Sequence, residues 1–180
     1  DPAAPPVVTL APMRRSHLRA VVRIEERSHA RPWSSALFLA ELAQPEARTY
    51  LVAKVDGRVV GYGGVMYVLP EAHVTTIAVD DPHRRRAVGT RLLVALARAA
   101  IAKGANALTL EVRVGNHAAQ EMYRRFGFRP AGIRKNYYVE TNEDALVMWA
   151  HDVDTAEYRR RLAEIEAGIP GVTLVSEGLR

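Results

Sequence analysis

The sequence predicts a single α/β domain in which helices flank a mixed, mostly antiparallel central sheet of about seven strands. Segments with strand and helix patterns alternate along the chain, with short connections and without internal repeats or a linker. The pair Asp56-Gly57 separates apolar segments 49–55 and 58–68, as the two-residue turn of a β-hairpin does. A chain of 180 residues is long enough to bury the core of one such domain.

The N-terminal elements are predicted from apolar runs and capping residues. Residues 7–13 form a first strand, and Ser16 is a suitable N-cap for a helix that runs to about residue 29. The stretch Pro32-Trp33-Ser34 interrupts the chain. Ser34 is then expected to cap a second helix that ends near residue 43.

The later elements follow the same alternation. The strand at 73–79 is apolar enough to lie centrally in the sheet, and the helix that follows it stops at Gly104. The predicted elements after residue 88 are a helix at 89–103, a strand at 108–114, a helix at 116–126, strands at 128–138 and 145–152, and a helix at 154–168. We therefore divide the chain into a disordered lead-in at 1–6, one domain at 7–153, and a C-terminal helix and tail at 154–180.

Composition limits the chemistry that the chain can perform. It contains no cysteine, which excludes a disulfide framework, a thiol nucleophile and a thiolate metal site. This suits a reducing compartment, and we expect a cytoplasmic protein. The six histidines show no metal-ligand spacing, so no metal is expected. His73, His83 and His117 flank predicted loops without carboxylate partners in register, and we assign none of them a catalytic role.

The segment 81–93, DPHRRRAVGTRLL, lies between the 73–79 strand and the next helix. Small residues in such a loop let backbone N–H groups approach a phosphate, and a helix N-terminus favours an anion. Arg84, Arg85 and Arg86 add positive charge. The loop suits a pyrophosphate, although a solvated basic turn is equally compatible. It is neither a Walker loop nor a three-glycine dinucleotide motif.

The run Arg84-x-x-Ala87-x-Gly89 resembles the Gln/Arg-x-x-Gly-x-Gly/Ala motif of the GNAT superfamily, which binds the pyrophosphate of acetyl-CoA. Ala87 departs from the usual glycine, and because alanine resists a positive φ the loop is expected to shift or to hold the cofactor less tightly. The resemblance implies acetyl-CoA as cosubstrate. Its implied contacts are the strand residues Ile77, Ala78 and Val79, which would pair with the pantetheine arm, and the loop residues Arg84, Arg85, Arg86, Ala87, Val88, Gly89 and Thr90, which would surround the pyrophosphate.

Four further segments resemble one particular family within this superfamily. They are RPWS at 31–34, LEVRVGN at 110–116, AAQEMYRRFGF at 118–128 and IRKNYY at 133–138. Together they resemble the bacterial ribosomal-protein alanine N-acetyltransferases, over roughly residues 8–148. That family transfers acetyl from acetyl-CoA to an N-terminal amine, with Glu111 implied as the base and Tyr123 as the acid.

The implied roles make chemical sense. An amine must lose a proton to attack a thioester, and the departing thiolate is better released protonated. An α-amine has a pKa of about 7.7–8.0, so roughly a tenth is already neutral at pH 7 and a modest base suffices. Taken alone, Glu111 would fit a surface salt bridge and Tyr123 would fit core packing.

Four more residues complete the implied site. Asn116 can cap the helix that follows it, and the family resemblance adds a hydrogen bond to the pantetheine arm. Tyr137 and Tyr138 could wall the peptide entrance or pack in the core. Trp33 could form a hydrophobic staple at a helix start or a lip of the substrate groove.

The expected partner is a protein N-terminus, that of a ribosomal protein, bound by a monomer or weak dimer without direct contact to nucleic acid or membrane. One alternative is acetyl transfer to a small-molecule amine, since the fold supports many acceptors. Another is a non-catalytic acyl-CoA sensor or a basic RNA-binding module. Glu111 and Tyr123 argue against the sensor, and the chain lacks the aromatic-basic pattern of an RNA-binding surface.

Overall fold

The computed structural model describes residues 4–80, 83 and 86–179. Within them the strands are β1 Val7–Pro12, β2 Arg48–Val55, β3 Arg58–Val68, β4 Glu71–Val79, β5 Ala107–Arg113, β6 Arg129–Tyr138, β7 Glu143–His151 and β8 Val172–Val175. The helices are α1 Leu18–Ser28, α2 Ser35–Leu42, α3 Val88–Ala102, α4 His117–Arg125 and α5 Ala156–Ala167. Short 3-10 turns occur at Arg15–His17 and Glu177–Leu179.

The strands form one mixed sheet in the order β6-β7-β5-β4-β3-β2-β1-β8. Only the β4–β5 and β1–β8 pairs are parallel. The mixed, mostly antiparallel sheet is thus confirmed, with β4 in its middle. The eighth strand was not predicted: residues of the C-terminal tail pair with β1, in the register Val7 opposite Val172. Its sequence, Val-Thr-Leu-Val, has the β-branched composition of a strand, but the run is short and its pairing partner is distant in the chain.

The two faces of the sheet carry separate hydrophobic cores. One core packs under α3, α4 and α5 and includes Leu92, Leu96, Phe126 and Leu162. The other lies under α1 and α2 and is built around Phe38 and neighbouring aromatic rings. The helices therefore flank the sheet on both sides, as expected from the alternation of elements.

A bulge in β4 and a short β4–β5 pairing open the sheet at its centre. Pairing between the two strands covers only residues 71–73 and 107–109. Against β3, Thr76 faces Gly64 and Val74 faces Val65, which leaves Thr75 as the extra residue of a bulge. Beyond this point the β5-facing edge of β4 has no strand partner among the described residues. The two strands separate there, and the space between them becomes a cleft.

The N-terminus of α2 begins at its predicted capping residue, whereas that of α1 does not. Ser34 caps α2, accepting the N–H of Leu37 at 3.2 Å, as predicted. The predicted cap at Ser16 is wrong. A 3-10 turn occupies Arg15–His17, and α1 begins one residue later with His17 at its N-cap. His17 Nδ1 instead accepts the N–H of Arg14, so local side-chain bonding favours the tighter turn.

Helix α5 is docked firmly on the domain. Its N-cap is Thr155, whose hydroxyl accepts the N–H of Tyr158 at 3.2 Å. Tyr158 and Leu162 are buried, and the Tyr158 hydroxyl donates to the Phe126 carbonyl at 2.7 Å. The C-terminal helix is therefore part of the core. In the described part of the chain, no helix is both long and apolar enough to cross a membrane.

Candidate active site

The space between the separating strands is a cleft of about 1700 Å³ that reaches both faces of the sheet. On one face its walls are the N-terminus of α3, together with α4 and α5. On the other face they are α1, the segment before α2 and the β6–β7 hairpin. A ligand entering from one face can therefore meet a second ligand entering from the other.

The N-terminus of α3 forms an end of the cleft that is suited to an anion. Ala87 is the N-cap residue, and the first backbone bond within the helix runs from Arg91 N–H to Ala87 O at 3.0 Å. The N–H groups of Val88, Gly89 and Thr90 therefore have no intrahelical acceptor and are available to an anion. Ala87, Gly89 and Thr90 line the cleft.

The other residues of the predicted phosphate loop offer few side chains to a ligand in the cleft. The Val88 side chain is fully buried beneath the helix end, so only its backbone can face a ligand. Arg86 is exposed. Arg84 and Arg85 lie outside the described residues. Of the three arginines predicted to bring positive charge to this end of the cleft, only Arg86 is among the described residues.

Ala87 adopts the left-handed conformation that the family's glycine would favour, with φ 55° and ψ 31°. For an alanine this conformation costs roughly 1–2 kcal/mol. Ala87→Gly removes that cost but adds about 0.4–1 kcal/mol of unfolded-chain entropy. We expect stability to be unchanged or to increase by up to about 1.6 kcal/mol, and acetyl-CoA affinity to be kept or improved. Thermal melts and calorimetry measure both, and an affinity loss above about tenfold would show that the loop depends on Ala87.

The open edge of β4 and the cap of α4 face each other across the cleft. Ile77, Ala78 and Val79 line it from β4. Because β5 has moved away at this level, their backbone edge can accept an extended chain as an added strand. Opposite them Asn116 lines the cleft, and its side chain caps α4 by accepting the Ala119 N–H at 3.2 Å. The predicted cap is confirmed, and its contact with pantetheine stays a prediction.

Glu111 projects from β5 into the cleft with only a tenth of its side chain exposed. His73 Nε2 lies 2.6 Å from Glu111 Oε2, and Arg134 Nη2 lies 3.8 Å from Oε1. The His73 hydrogen bond, aided by the charge of Arg134, holds the pKa of Glu111 below its usual value despite burial. The carboxylate is therefore ionised throughout the neutral range.

The contact corrects the expectation that His73 lacks a carboxylate partner in register. β4 and β5 are parallel at this level, with His73 opposite Thr109. Glu111 is two residues further along β5, so its side chain is on the same face of the sheet as that of Thr109. The pairing could not be read from the sequence, because it depends on the register between two strands 38 residues apart.

Tyr123 lies on α4 and reaches the cleft from the face of the sheet that α3, α4 and α5 cover. It is buried, and its ring packs against Phe128 with centroids 5.8 Å apart. Burial, with a smaller effect of Tyr138, raises the pKa of Tyr123 to about 12. The phenol therefore keeps its proton at neutral pH. The hydroxyl is therefore present in the cleft as a hydrogen-bond donor, although the raised pKa makes it a weaker acid than an exposed tyrosine.

Aromatic side chains line the opposite mouth. Tyr137 and Tyr138 meet edge to face with centroids 5.1 Å apart, and neither belongs to a hydrophobic core. The Arg113 guanidinium lies 3.9 Å from the centre of the Tyr138 ring. Trp33 packs on Phe38 at 5.3 Å, the geometry of a hydrophobic staple, and also lines the cleft. Both interpretations of Trp33 are thus compatible with its position.

Sequence reasoning missed Glu25, a buried carboxyl of α1 that also lines this mouth. It accepts the Tyr62 hydroxyl and, at 3.2 Å, the N–H of Trp33. Burial raises its pKa to about 7. The available signal was its position one helical turn after Val21, on the apolar side of a predicted helix. Its hydrogen bonds fix the segment that carries Trp33.

The comparisons with known proteins agree with this geometry. The acetyltransferase (GNAT) family matches residues 18–128. The chain belongs to that family, and it is an acetyl-CoA-dependent acetyltransferase. Among the described residues no group of three or more potential metal ligands of the histidine or carboxylate type comes together.

Two relatives and one solved structure indicate which acetyltransferases the chain resembles. The chain is 41% identical over 137 residues to a putative ribosomal protein bS18-alanine N-acetyltransferase of Bacillus subtilis, covering 76% of this chain and 91% of the relative. It is 35% identical to the N-alpha-acetyltransferase RimI of Mycobacterium tuberculosis, covering 78% and 90%. The crystal structure of the ribosomal-protein-S18-alanine N-acetyltransferase from Escherichia coli superposes with a TM-score of 0.73 at 34% identity, covering 81% and 94%.

Proposed function

We propose that the protein transfers the acetyl group of acetyl-CoA to the N-terminal α-amine of a ribosomal protein that begins with alanine. The observation that carries the proposal is the two-sided cleft. It joins an anion-binding helix end on one face of the sheet to an ionised carboxylate and an aromatic mouth on the other. The relatives named for bS18-alanine acetylation support the choice of acceptor. Such an acceptor implies a cytoplasmic protein.

Glu111 is proposed to accept the proton of the attacking amine. Its carboxylate stays ionised near neutral pH, and it lines the mouth where a peptide N-terminus would enter. A carboxylate with a lowered pKa is a weak base. It suffices here because the α-amine is already partly neutral at pH 7. The hydrogen bond to His73 orients the carboxylate, and the nearby guanidinium of Arg134 offsets part of its charge.

Tyr123 is proposed to protonate the departing sulfur of CoA. The phenol reaches the cleft from the cofactor face and remains protonated until thiolate forms. Attack of the amine on the thioester carbonyl is direct, in a ternary complex: the N–C bond forms, the C–S bond breaks, and the sulfur leaves as a thiol. Most of the rate enhancement comes from positioning, with the acid and base adding about 10²–10⁴-fold.

The cofactor is proposed to lie along β4 and over the start of α3. Ile77 to Val79 offer an open strand edge to the pantetheine arm, and Gly89 and Thr90 offer N–H groups to the pyrophosphate. Trp33, Tyr137 and Tyr138 wall the peptide side. We further propose that the protein acts as a monomer or weak dimer, without direct contact to nucleic acid or membrane.

Acceptor specificity can be tested with purified protein and a panel of amines. We expect rapid acetylation of a peptide that begins with alanine, and none of the same peptide with a blocked N-terminus and an internal lysine. Polyamines, aminoglycosides and free amino acids cover the alternative of a small-molecule acceptor. If one of these is acetylated with a higher kcat/KM than the peptide, the proposed acceptor is wrong.

A further inference from the structure

Helix α5 closes one side of the cofactor end of the cleft, although it lies outside the segment that matches the family. The matched segment ends at residue 128, whereas α5 spans Ala156–Ala167. The described cleft wall nevertheless includes Arg160, Arg161 and Ile165 from this helix. The C-terminal region of this chain therefore contributes to the cleft wall beyond the segment that matches the family.

The helix is held in place from both ends, so its surface toward the cleft is fixed. At the α4 end, Arg161 Nη1 donates to the Arg125 carbonyl at 3.1 Å. At the α3 end, Arg98 and Glu166 form an ion pair at 2.6 Å. Rigid docking lowers the entropic cost of presenting α5 side chains to a ligand.

A buried arginine of α3 anchors the chain that follows α5. The side chain of Arg91 is almost fully buried. It donates to Thr173 Oγ1 at 2.6 Å and to the carbonyl of Pro170. Pro170 lines the cleft beside Thr90. The tail is thus tied to the helix whose N-terminus faces the pyrophosphate position.

The charges on this wall favour an anion. This part of the wall carries three arginines and two glutamates, namely Arg125, Arg160, Arg161, Glu157 and Glu164. Arg161 is already engaged by a backbone carbonyl. Within the described residues no carboxylate lies within salt-bridge distance of Arg160, whose side chain is exposed toward solvent and cleft. An exposed guanidinium without an ion-pair partner is well suited to a phosphate.

We propose that α5 forms a subsite for the 3′-phosphoadenosine end of CoA, with Arg160 as the residue that binds the 3′-phosphate. With the pyrophosphate over the start of α3, the remaining part of the cofactor extends toward the outer wall that α5 and the end of α4 provide. Ile165, half-buried beside Arg160 and Arg161, offers an apolar surface to the adenine. The inference uses only the acetyl donor and does not depend on the identity of the acceptor.

The test compares acetyl-CoA with 3′-dephospho-acetyl-CoA, which lacks only the phosphate in question. Wild-type protein is expected to bind acetyl-CoA about three- to tenfold more tightly, as one exposed charge-assisted contact gives. Arg160→Gln is expected to bind both cofactors with the weaker affinity. Arg159→Gln is the matched control, because Arg159 is the exposed neighbour on α5 that does not line the cleft.

Calorimetric titration gives both dissociation constants, and circular dichroism checks that each variant is folded. Arg159→Gln should keep the wild-type preference, and Arg160→Lys should keep part of it because the charge remains. The proposal is overturned if wild-type protein binds the two cofactors equally. It is also overturned if both glutamine variants lose the preference to the same extent, since general surface charge would then be responsible.

Discussion

Gly89→Glu is expected to weaken acetyl-CoA binding by at least about a hundredfold, equivalent to about 2.7 kcal/mol. Gly89 lies in the first turn of α3 and lines the cleft, with Met122 sulfur 3.6 Å from where a Cβ would be. A methyl group would just fit, but a glutamate side chain must extend into the cleft. There it adds negative charge where the helix end would hold the pyrophosphate.

Gly132→Glu is the control for the added charge. Gly132 lies on β6 outside the cleft wall, and a Cβ there would meet nothing within 4 Å. This variant should bind acetyl-CoA as the wild type does. Titration calorimetry measures both variants, with circular dichroism to check folding. Unchanged affinity in a folded Gly89→Glu variant would remove the start of α3 from the cofactor site.

Glu111→Gln and Tyr123→Phe are each expected to lower turnover by about 10²-fold, the lower end of the range for general acid–base catalysis. Because the pKa of Glu111 is lowered, the wild-type carboxylate is ionised throughout the neutral range. In Glu111→Gln the rate should follow the neutral fraction of the amine, which increases about tenfold per pH unit below the pKa of the amine. The defect is therefore largest at low pH and partly rescued at high pH.

Tyr123→Phe should reduce kcat while leaving acetyl-CoA affinity nearly intact, because the ring still packs against Phe128. The double variant should lose less than the product of the single losses if both groups act in one transition state. Tyr67→Phe is the control for hydroxyl loss, since Tyr67 hydrogen-bonds Thr49 away from the cleft. The measurement is a pH–rate profile of each variant on a peptide that begins with alanine. If both single variants keep the wild-type pH–rate profile and rate, Glu111 and Tyr123 are not the acid and base, and positioning of the substrates accounts for catalysis.

Local patterns predicted most of the fold. The Asp56-Gly57 hairpin, the Ser34 cap and the helix ending before Gly104 each depend on a few neighbouring residues, and all are present. The strand β8 and the Thr75 bulge were missed, because both depend on pairing with strands elsewhere in the chain. Element types are therefore more readily predicted than the irregularities that open the cleft.

In the candidate site, too, features of the local sequence were predicted more readily than contacts between distant segments. Motif residues such as Gly89, Glu111 and Tyr123 could be named from the sequence, and the cleft brings them into one space. The hydrogen bond from His73 could not be predicted, because it requires a register between distant strands. Glu25 was missed although its position on the apolar side of α1 indicates burial. The His73 hydrogen bond lowers the pKa of Glu111, and burial raises the pKa values of Glu25 and Tyr123. The sequence alone therefore identifies these groups without their protonation behaviour.

Mass spectrometry of ribosomal proteins from cells with and without this gene tests the proposed function in the cell. We expect that one ribosomal protein with an N-terminal alanine is acetylated in the parent cells and lacks the acetyl group in the deletion. The wild-type gene should restore it, and the Glu111→Gln variant should restore much less. Identical N-terminal acetylation of all ribosomal proteins in the parent and deletion cells would contradict the proposed function.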